Sequence, residues 1–300
     1  MRPRFGRILI VGLGLIGGSL AAACRKAFPQ TKIIGISRSR SALSKAKKKG
    51  WIHRGFQNLE AAFKNVGAGY PRPSKRMAGE ATSPLHLVLL CTPVDTLKNF
   101  LKRLDRVVPR GTIVTDTGSV KGFLVRWADR EDWRSIRFVG AHPMAGSHQR
   151  GIDAAGPHLF QGSLTLVTPG RRTSPRALGQ VKNFWKQISH RVVVISPEAH
   201  DRITGEVSHL PHLVAALLVD NVSSPSLRFA ASGFLDTTRV AEGDPSLWIP
   251  ILVENRKELT RTLLDFEKKL KRIKASLARK DFQNLRRVLT QAQTRRRALE

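Results

Sequence analysis

Three short stretches carry the side chains best suited to chemistry. Ala141-His142-Pro143-Met144-Ala145-Gly146 sets a histidine between a predicted strand and a glycine-containing loop. An imidazole titrates near neutrality, so His142 is placed for acid–base work; a hydrogen-bonded structural histidine is the alternative. Ser119, in Asp116-Thr117-Gly118-Ser119-Val120-Lys121, can orient that imidazole, touch a cofactor or cap the next helix. Ser208-His209-Leu210-Pro211-His212 puts His209 and His212 near one helix face, with Pro211 bending the helix. With His200 they have ring nitrogens for a metal, yet no carboxylate or cysteine spacing supports one, and none is expected. Asp236-Thr237-Thr238-Arg239 sets a guanidinium three residues from a carboxylate, either a surface pair or a clamp for an anion. Trp248 is either core or ligand wall.

A second kind of site opens the chain. Gly12-Leu13-Gly14-Leu15-Ile16-Gly17 fits G-x-G-x-x-G, follows the apolar run Ile8 to Val11 and precedes helical composition from Ser19 to Ala27. In that context Gly12 allows a tight turn, Gly14 lets backbone approach a pyrophosphate, and Gly17 lets helix and strand pack closely. Leu15 and Ile16, inside the motif, are expected to contact the cofactor, with the N-terminal N–H groups of the following helix aimed at the phosphates. The next strand, Lys32 to Ile36, ends on Ser37, Arg38, Ser39 and Arg40, with no acidic residue nearby. A carboxylate there would hold the two ribose hydroxyls of NAD. Ser37, Arg38 and Arg40 instead suit the 2′-phosphate of NADP, so NADP is expected rather than NAD.

These residues need elements to position them, and the first half supplies strands and helices in alternation. Strands are expected at Ile8–Val11, Lys32–Ile36, Leu85–Cys91, Thr112–Asp116 and Phe138–Gly140. Strands at Ser163–Thr168 and Val192–Ser196, around a helix from Pro175 to Ser189, extend the same sheet. This pattern implies a doubly wound, parallel Rossmann-type sheet, in which ligands gather beyond the strands' carboxyl ends. Cys91, Thr92 and Pro93 lie there and are expected to touch the cofactor. Gly67 to Pro84 reads as a surface insertion.

From Ser196 the chain turns almost wholly helical, which divides it into a nucleotide-binding domain, 1–196, and a helical domain, 197–300. Leu252, Leu259, Leu263, Phe266, Leu270, Ile273 and Leu277 form an apolar stripe long enough to serve a second subunit. Hydrophobic residues at 41% against 25% charged fit a globular protein with two cores. No apolar run spans a membrane, no signal peptide precedes the first strand, and two cysteines without motif spacing fit a reducing compartment. A cytoplasmic location is expected. The net charge of +30 keeps a polyanion-binding protein among the alternatives. Its basic residues are scattered over separate elements, however, so no dedicated nucleic-acid site is expected.

Taken in order, "GLGLIGGSL", "CTPV", "DTGSVKG", "GAHPMAGS", "SPEAHD", "SHLPH", "GFLDTTRVAEGDPSLW" and "ENR" resemble the prephenate/arogenate dehydrogenase family. The likeness runs from Arg7 to about Leu277. It implies a Rossmann domain joined to an all-α dimerisation domain, with oxidative decarboxylation of prephenate or arogenate between them, in tyrosine biosynthesis. On this likeness His142 matches the histidine that takes the proton of the ring hydroxyl. Ser119 matches the serine that hydrogen-bonds it near the nicotinamide. Arg239 matches the arginine that binds a substrate carboxylate, Asp236 its gating partner, and His209, His212 and Trp248 the pocket lining. His148 departs from the pattern, because many members carry a glutamate there, facing the substrate side chain. No segment is large enough for a chorismate mutase or ACT domain, and neither is expected. A rival dehydrogenase of the β-hydroxyacid type would use a helix-borne lysine and has no need of the histidine motifs.

Overall fold

The computed structural model describes residues 5–66, 86–146 and 149–299. The expected insertion over Gly67 to Pro84, and His148, lie outside them. The first half builds β1 (Arg7–Val11), α1 (Leu15–Ala27), β2 (Lys32–Ile36), α2 (Arg40–Lys48), β3 (Arg54–Phe56) and α3 (Leu59–Val66). It continues through β4 (His86–Leu90), α4 (Leu97–Val107), β5 (Thr112–Asp116), α5 (Gly122–Ala128) and β6 (Ile136–Met144). Then come β7 (Leu164–Thr168), α6 (Pro175–Trp185) and β8 (Arg191–Val194).

Among the described residues these eight strands form one sheet, in the order β3-β2-β1-β4-β5-β6-β7-β8. The strand order reverses between β1 and β4, where Ile8 pairs with Ile33 on one side and Leu87 on the other. Ile8, Ile10, Leu87 and Leu89 face one apolar layer, and Leu9, Val11, Val88 and Leu90 face the other. Burial on both faces explains why these strands read as continuous apolar runs.

Two expectations about the sheet need correction. Strand β7 joins it antiparallel, with Gly140 opposite Thr168 and Met144 opposite Leu164. Strand β6 also runs past Gly140 to Met144, so His142 sits within a strand and not in the loop beyond it. A proline normally argues for a strand end, but β5 pairs with β6 only up to Val139. Past that point Pro143 has an edge where a missing N–H costs nothing.

Beyond β8 the chain is helical: α7 (Pro197–Thr204), a π-turn (Gly205–His209), α8 (Leu210–Asp220), α9 (Ser224–Leu227) and α10 (Ser232–Thr238). A 3₁₀ turn (Arg239–Glu242) leads to α11 (Pro245–Glu254), α12 (Arg256–Ala278) and α13 (Phe282–Arg297). Ser196 caps α7 by accepting from the Ala199 N–H at 3.1 Å, and Asp244 caps α11 by accepting from Ser246 at 2.8 Å. Each is followed by a proline in the first turn, where its missing N–H goes unused. The apolar stripe is interrupted at Asn255, between α11 and α12. Leu259 is buried in its own domain, whereas Leu270 and Leu277 stay exposed.

Candidate active site

The turn between β1 and α1 has a backbone that only glycine fits. Gly12 has φ +93°, and a Cβ on it would stand 2.5 Å from the Cys91 carbonyl oxygen. A Cβ at Gly17 would overlap the carbonyl oxygen of Gly12. Gly14, at the N-cap of α1, faces open space and has no side chain to satisfy the first-turn N–H groups. That leaves a cradle for an anion at the helix end, which fits a dinucleotide pyrophosphate. The cleft here is lined by Gly12, Gly14, Ser37, Arg38, Cys91, Thr92 and Pro93. Leu15, Ile16 and Gly17 shape its helix without forming its wall.

Of the two expected arginines, Arg38 lines the cleft. Arg40 does not: its Nε donates to the Gln57 side chain at 3.2 Å. Two other cations at the rim are already neutralised. Lys45 pairs with Asp153 at 2.7 Å, and Arg103 donates to both oxygens of Glu60.

On the far side of the sheet, β6 presents His142. Its Nδ1 lies 2.9 Å from His200 Nε2, and His200 Nδ1 lies 2.9 Å from Asp201 Oδ1. Asp201 accepts in turn from the backbone N–H groups of Lys121 and Gly122, each at 2.8 Å. A carboxylate so held is an acceptor. His200 therefore carries its proton on Nδ1, and its bare Nε2 accepts from His142 Nδ1–H. Neutral His142 is left with its lone pair on Nε2, the nitrogen free to take a proton. Burial holds His142 well below the ordinary histidine range, assisted by repulsion from the neighbouring His200, when protonated, and Lys121. Burial also depresses His200. Both stay neutral near pH 7.

Lys121 braces this arrangement from inside the core. Wholly buried, it ion-pairs with Asp116 at the end of β5 and donates to the Ala141 carbonyl at 2.9 Å. The Ala141 N–H reaches Asp116 Oδ1 at 3.2 Å. The peptide just before His142 is thus fixed on both sides. Burial lowers the lysine's pKa and Asp116 opposes it. Ser119 is half-buried in the same loop, but the described hydrogen bonds include none between it and His142.

The helical half contributes one long rod, α7 through α8, widened by the π-turn that precedes Pro211. Proline supplies no N–H and crowds the preceding turn, and a wider turn relieves that. His209 falls inside the π-turn and His212 one turn later. His212 stacks on Trp248 at 3.6 Å and 11°, while His209 meets the same indole edge to face at 6.2 Å. Arg239 begins the turn whose Val240 backbone hydrogen-bonds His212. Arg239 and Asp236 are both exposed, and among the described residues no ion pair joins them. His200 spends both ring nitrogens on His142 and Asp201, which removes it from any metal set with His209 and His212.

Sequence reasoning brought out His142, His209, His212 and Trp248, and the structure gathers them around the end of β6. It missed the working roles of His200, Asp201, Lys121 and Asn255. The signal that could have found them was the quoted stretches themselves, since DTGSVKG holds Lys121, SPEAHD holds His200 and Asp201, and ENR holds Asn255.

The comparisons agree along the whole chain. Residues 20–194 match the family model for the prephenate dehydrogenase nucleotide-binding domain, and 196–291 that for its dimerization domain. Prephenate dehydrogenase of Bacillus subtilis is 34% identical over 285 residues, 93% of this chain and 72% of that one. Cyclohexadienyl dehydrogenase of Zymomonas mobilis is 30% identical over 303 residues, 99% and 97% of the two. Prephenate dehydrogenase of A. aeolicus, solved with hydroxyphenyl propionate and NAD+, superposes with TM-score 0.87 at 32% identity, covering 100% of both chains. With a nucleotide-binding Rossmann domain, a helical partner domain and these matches, the chain belongs to the prephenate dehydrogenase family.

Proposed function

We propose that this protein oxidatively decarboxylates prephenate or arogenate, with NADP as its cofactor, as a homodimer. The observation that carries the reading is the buried Asp201–His200–His142 chain, which leaves a neutral imidazole with its lone pair on Nε2. The substrate is a cyclohexadienol with a carboxylate on the ring carbon opposite the hydroxyl. A nicotinamide dinucleotide, its pyrophosphate held at the Gly12–Gly14 turn, would supply the hydride acceptor. His142 Nε2 takes the hydroxyl proton as the carbon beneath it is oxidised to a ketone. Arg239 holds a substrate carboxylate, with His209, His212 and Trp248 walling the ring. Loss of carbon dioxide from the resulting dienone carboxylate sends the bond pair to the ketone oxygen, which takes back the proton held on His142 as an aromatic phenol forms; aromatisation makes the sequence effectively irreversible.

NADP is favoured by Arg38, which lines the cleft and carries no ion pair among the described residues. The exposed Leu217, Phe229, Ile249, Leu270, Leu277 and Leu289 of the helical half support a second copy covering them. Steady-state assays with both substrates and both cofactors test the reaction. Turnover of prephenate or arogenate with NADP preferred by kcat/KM is expected; no turnover of either overturns the reading. Light scattering should report a dimer at micromolar concentration.

A further inference from the structure

Asn255 sits at the break between α11 and α12 and is 2% exposed. Its Nδ2 donates at 2.8 Å to the Asp201 backbone carbonyl and lies 2.9 Å from His209 Nδ1. The amide cannot be turned over, because its oxygen would then face a carbonyl oxygen with no proton between them. Both contacts consequently use N–H donors, and His209 Nδ1 must accept. A neutral His209 then carries its proton on Nε2. Burial keeps it neutral, depressing its pKa to about 4.

That Nε2–H is fully buried and has no hydrogen-bond partner among the described residues. A buried donor left unpaired is costly, so a native fold that keeps one beside the substrate wall has a use for it. We infer that Asn255 is a positioning residue that sets the His209 tautomer, so that Nε2–H donates to an oxygen of the substrate. The inference rests on the dehydrogenase reading for the identity of that substrate. Asp201 then serves both imidazoles. Its carboxylate, through His200, makes His142 a proton acceptor; its carbonyl, through Asn255, makes His209 a proton donor. The acceptor is a substrate oxygen and not an ammonium group, which has no lone pair to accept with.

Nitrogen-15 NMR of the histidine-labelled wild-type protein reads the tautomer without any assay. The His209 resonances are assigned by their loss in His209→Gln. At pH 7 the unprotonated nitrogen should be Nδ1, and finding it at Nε2 would overturn the inference. Kinetics read the use of the proton. His209→Gln places an amide N–H near the Nε2 position and should keep KM within about threefold. His209→Asn places it near Nδ1 and should raise KM roughly 10- to 100-fold, the worth of a hydrogen bond to a charged group. Asn255→Leu should raise KM more than it lowers kcat and mix the two tautomers. Equal KM values for the Gln and Asn variants would show that Nε2–H does not meet substrate. Wild-type enzyme inactive on prephenate and arogenate would refute the dehydrogenase reading, and the tautomer would still be measured.

Discussion

His142 meets His200 Nδ1 to Nε2 at 2.9 Å, and that contact decides which nitrogen of His142 can act as a base. His142→Asn removes the base and keeps a side chain that can still bond His200. It should lower kcat by roughly two to four orders of magnitude, the usual worth of a positioned acid–base group, with KM little changed. Near-native kcat in stopped-flow or steady-state assays would exclude His142 as the base.

Asp201→Asn tests the chain behind it. The amide must set its NH2 against either the Lys121 or the Gly122 backbone N–H, so the acceptor that fixes the His200 proton on Nδ1 is weakened and His142 loses its single tautomer. We expect a loss in kcat of about 10²-fold or more at unchanged fold and cofactor binding, by analogy with other carboxylate–histidine pairs. A variant with full kcat would show that the carboxylate only anchors α7.

How far the sequence revealed this site depended on how local each part is. The β1–Gly12–α1 turn was legible because its apolar run, glycines and helix lie within about twenty consecutive residues, and each constrains the others. The roles of His200, Asp201 and Asn255 were not, because they depend on contacts across 46 to 80 residues of chain. The strand expected at Phe138–Gly140 runs on to Met144, and only the pairing of β6 with β7 shows why it continues. Arg40 read as a phosphate ligand on spacing alone, but Gln57, from the next βα connection, holds it aside.

The histidine cluster predicts a stability profile. His142, His200, His209 and His212 all have depressed pKa values in the folded protein, chiefly through burial. Above pH 6.5 folded and unfolded chains both hold them neutral, and their contribution is fully present. As pH falls below 6.5 the unfolded chain takes up protons that the folded one refuses, so stability declines down to the folded pKa values. For His209 that window runs from 6.5 to about 4. Calorimetry at pH 7.5 and 5 should show Tm lower by several degrees at pH 5, and His209→Gln should reduce the difference. A flat profile would show that the cluster stays solvated.

Arg239 is exposed on the turn beside His212 and has no ion pair among the described residues to break. Arg239→Ala should therefore act on substrate and leave stability nearly untouched. Loss of a charge-assisted contact to a carboxylate would raise KM by about 1.5 to 3 kcal/mol in binding terms. Unchanged KM for both prephenate and arogenate would remove Arg239 from the pocket.

Cofactor choice turns on the end of β2. Ser37 and Arg38 line the cleft beyond that strand, and Ser37 Oγ accepts from the Ser39 N–H at 3.3 Å, which leaves its proton to donate. Arg38 faces the same space, while Arg40 is occupied with Gln57, Lys45 with Asp153 and Arg103 with Glu60. A guanidinium can pair with a 2′-phosphate through two parallel hydrogen bonds, and NAD offers it only a hydroxyl. Arg38→Ala should cost NADP roughly 1.5 to 3 kcal/mol in kcat/KM and leave NAD almost unaffected. Arg40→Ala should cost NADP far less, because that side chain would first have to leave Gln57. Equal losses with both cofactors in Arg38→Ala, or a wild-type preference for NAD, would show that this arginine does not read the phosphate.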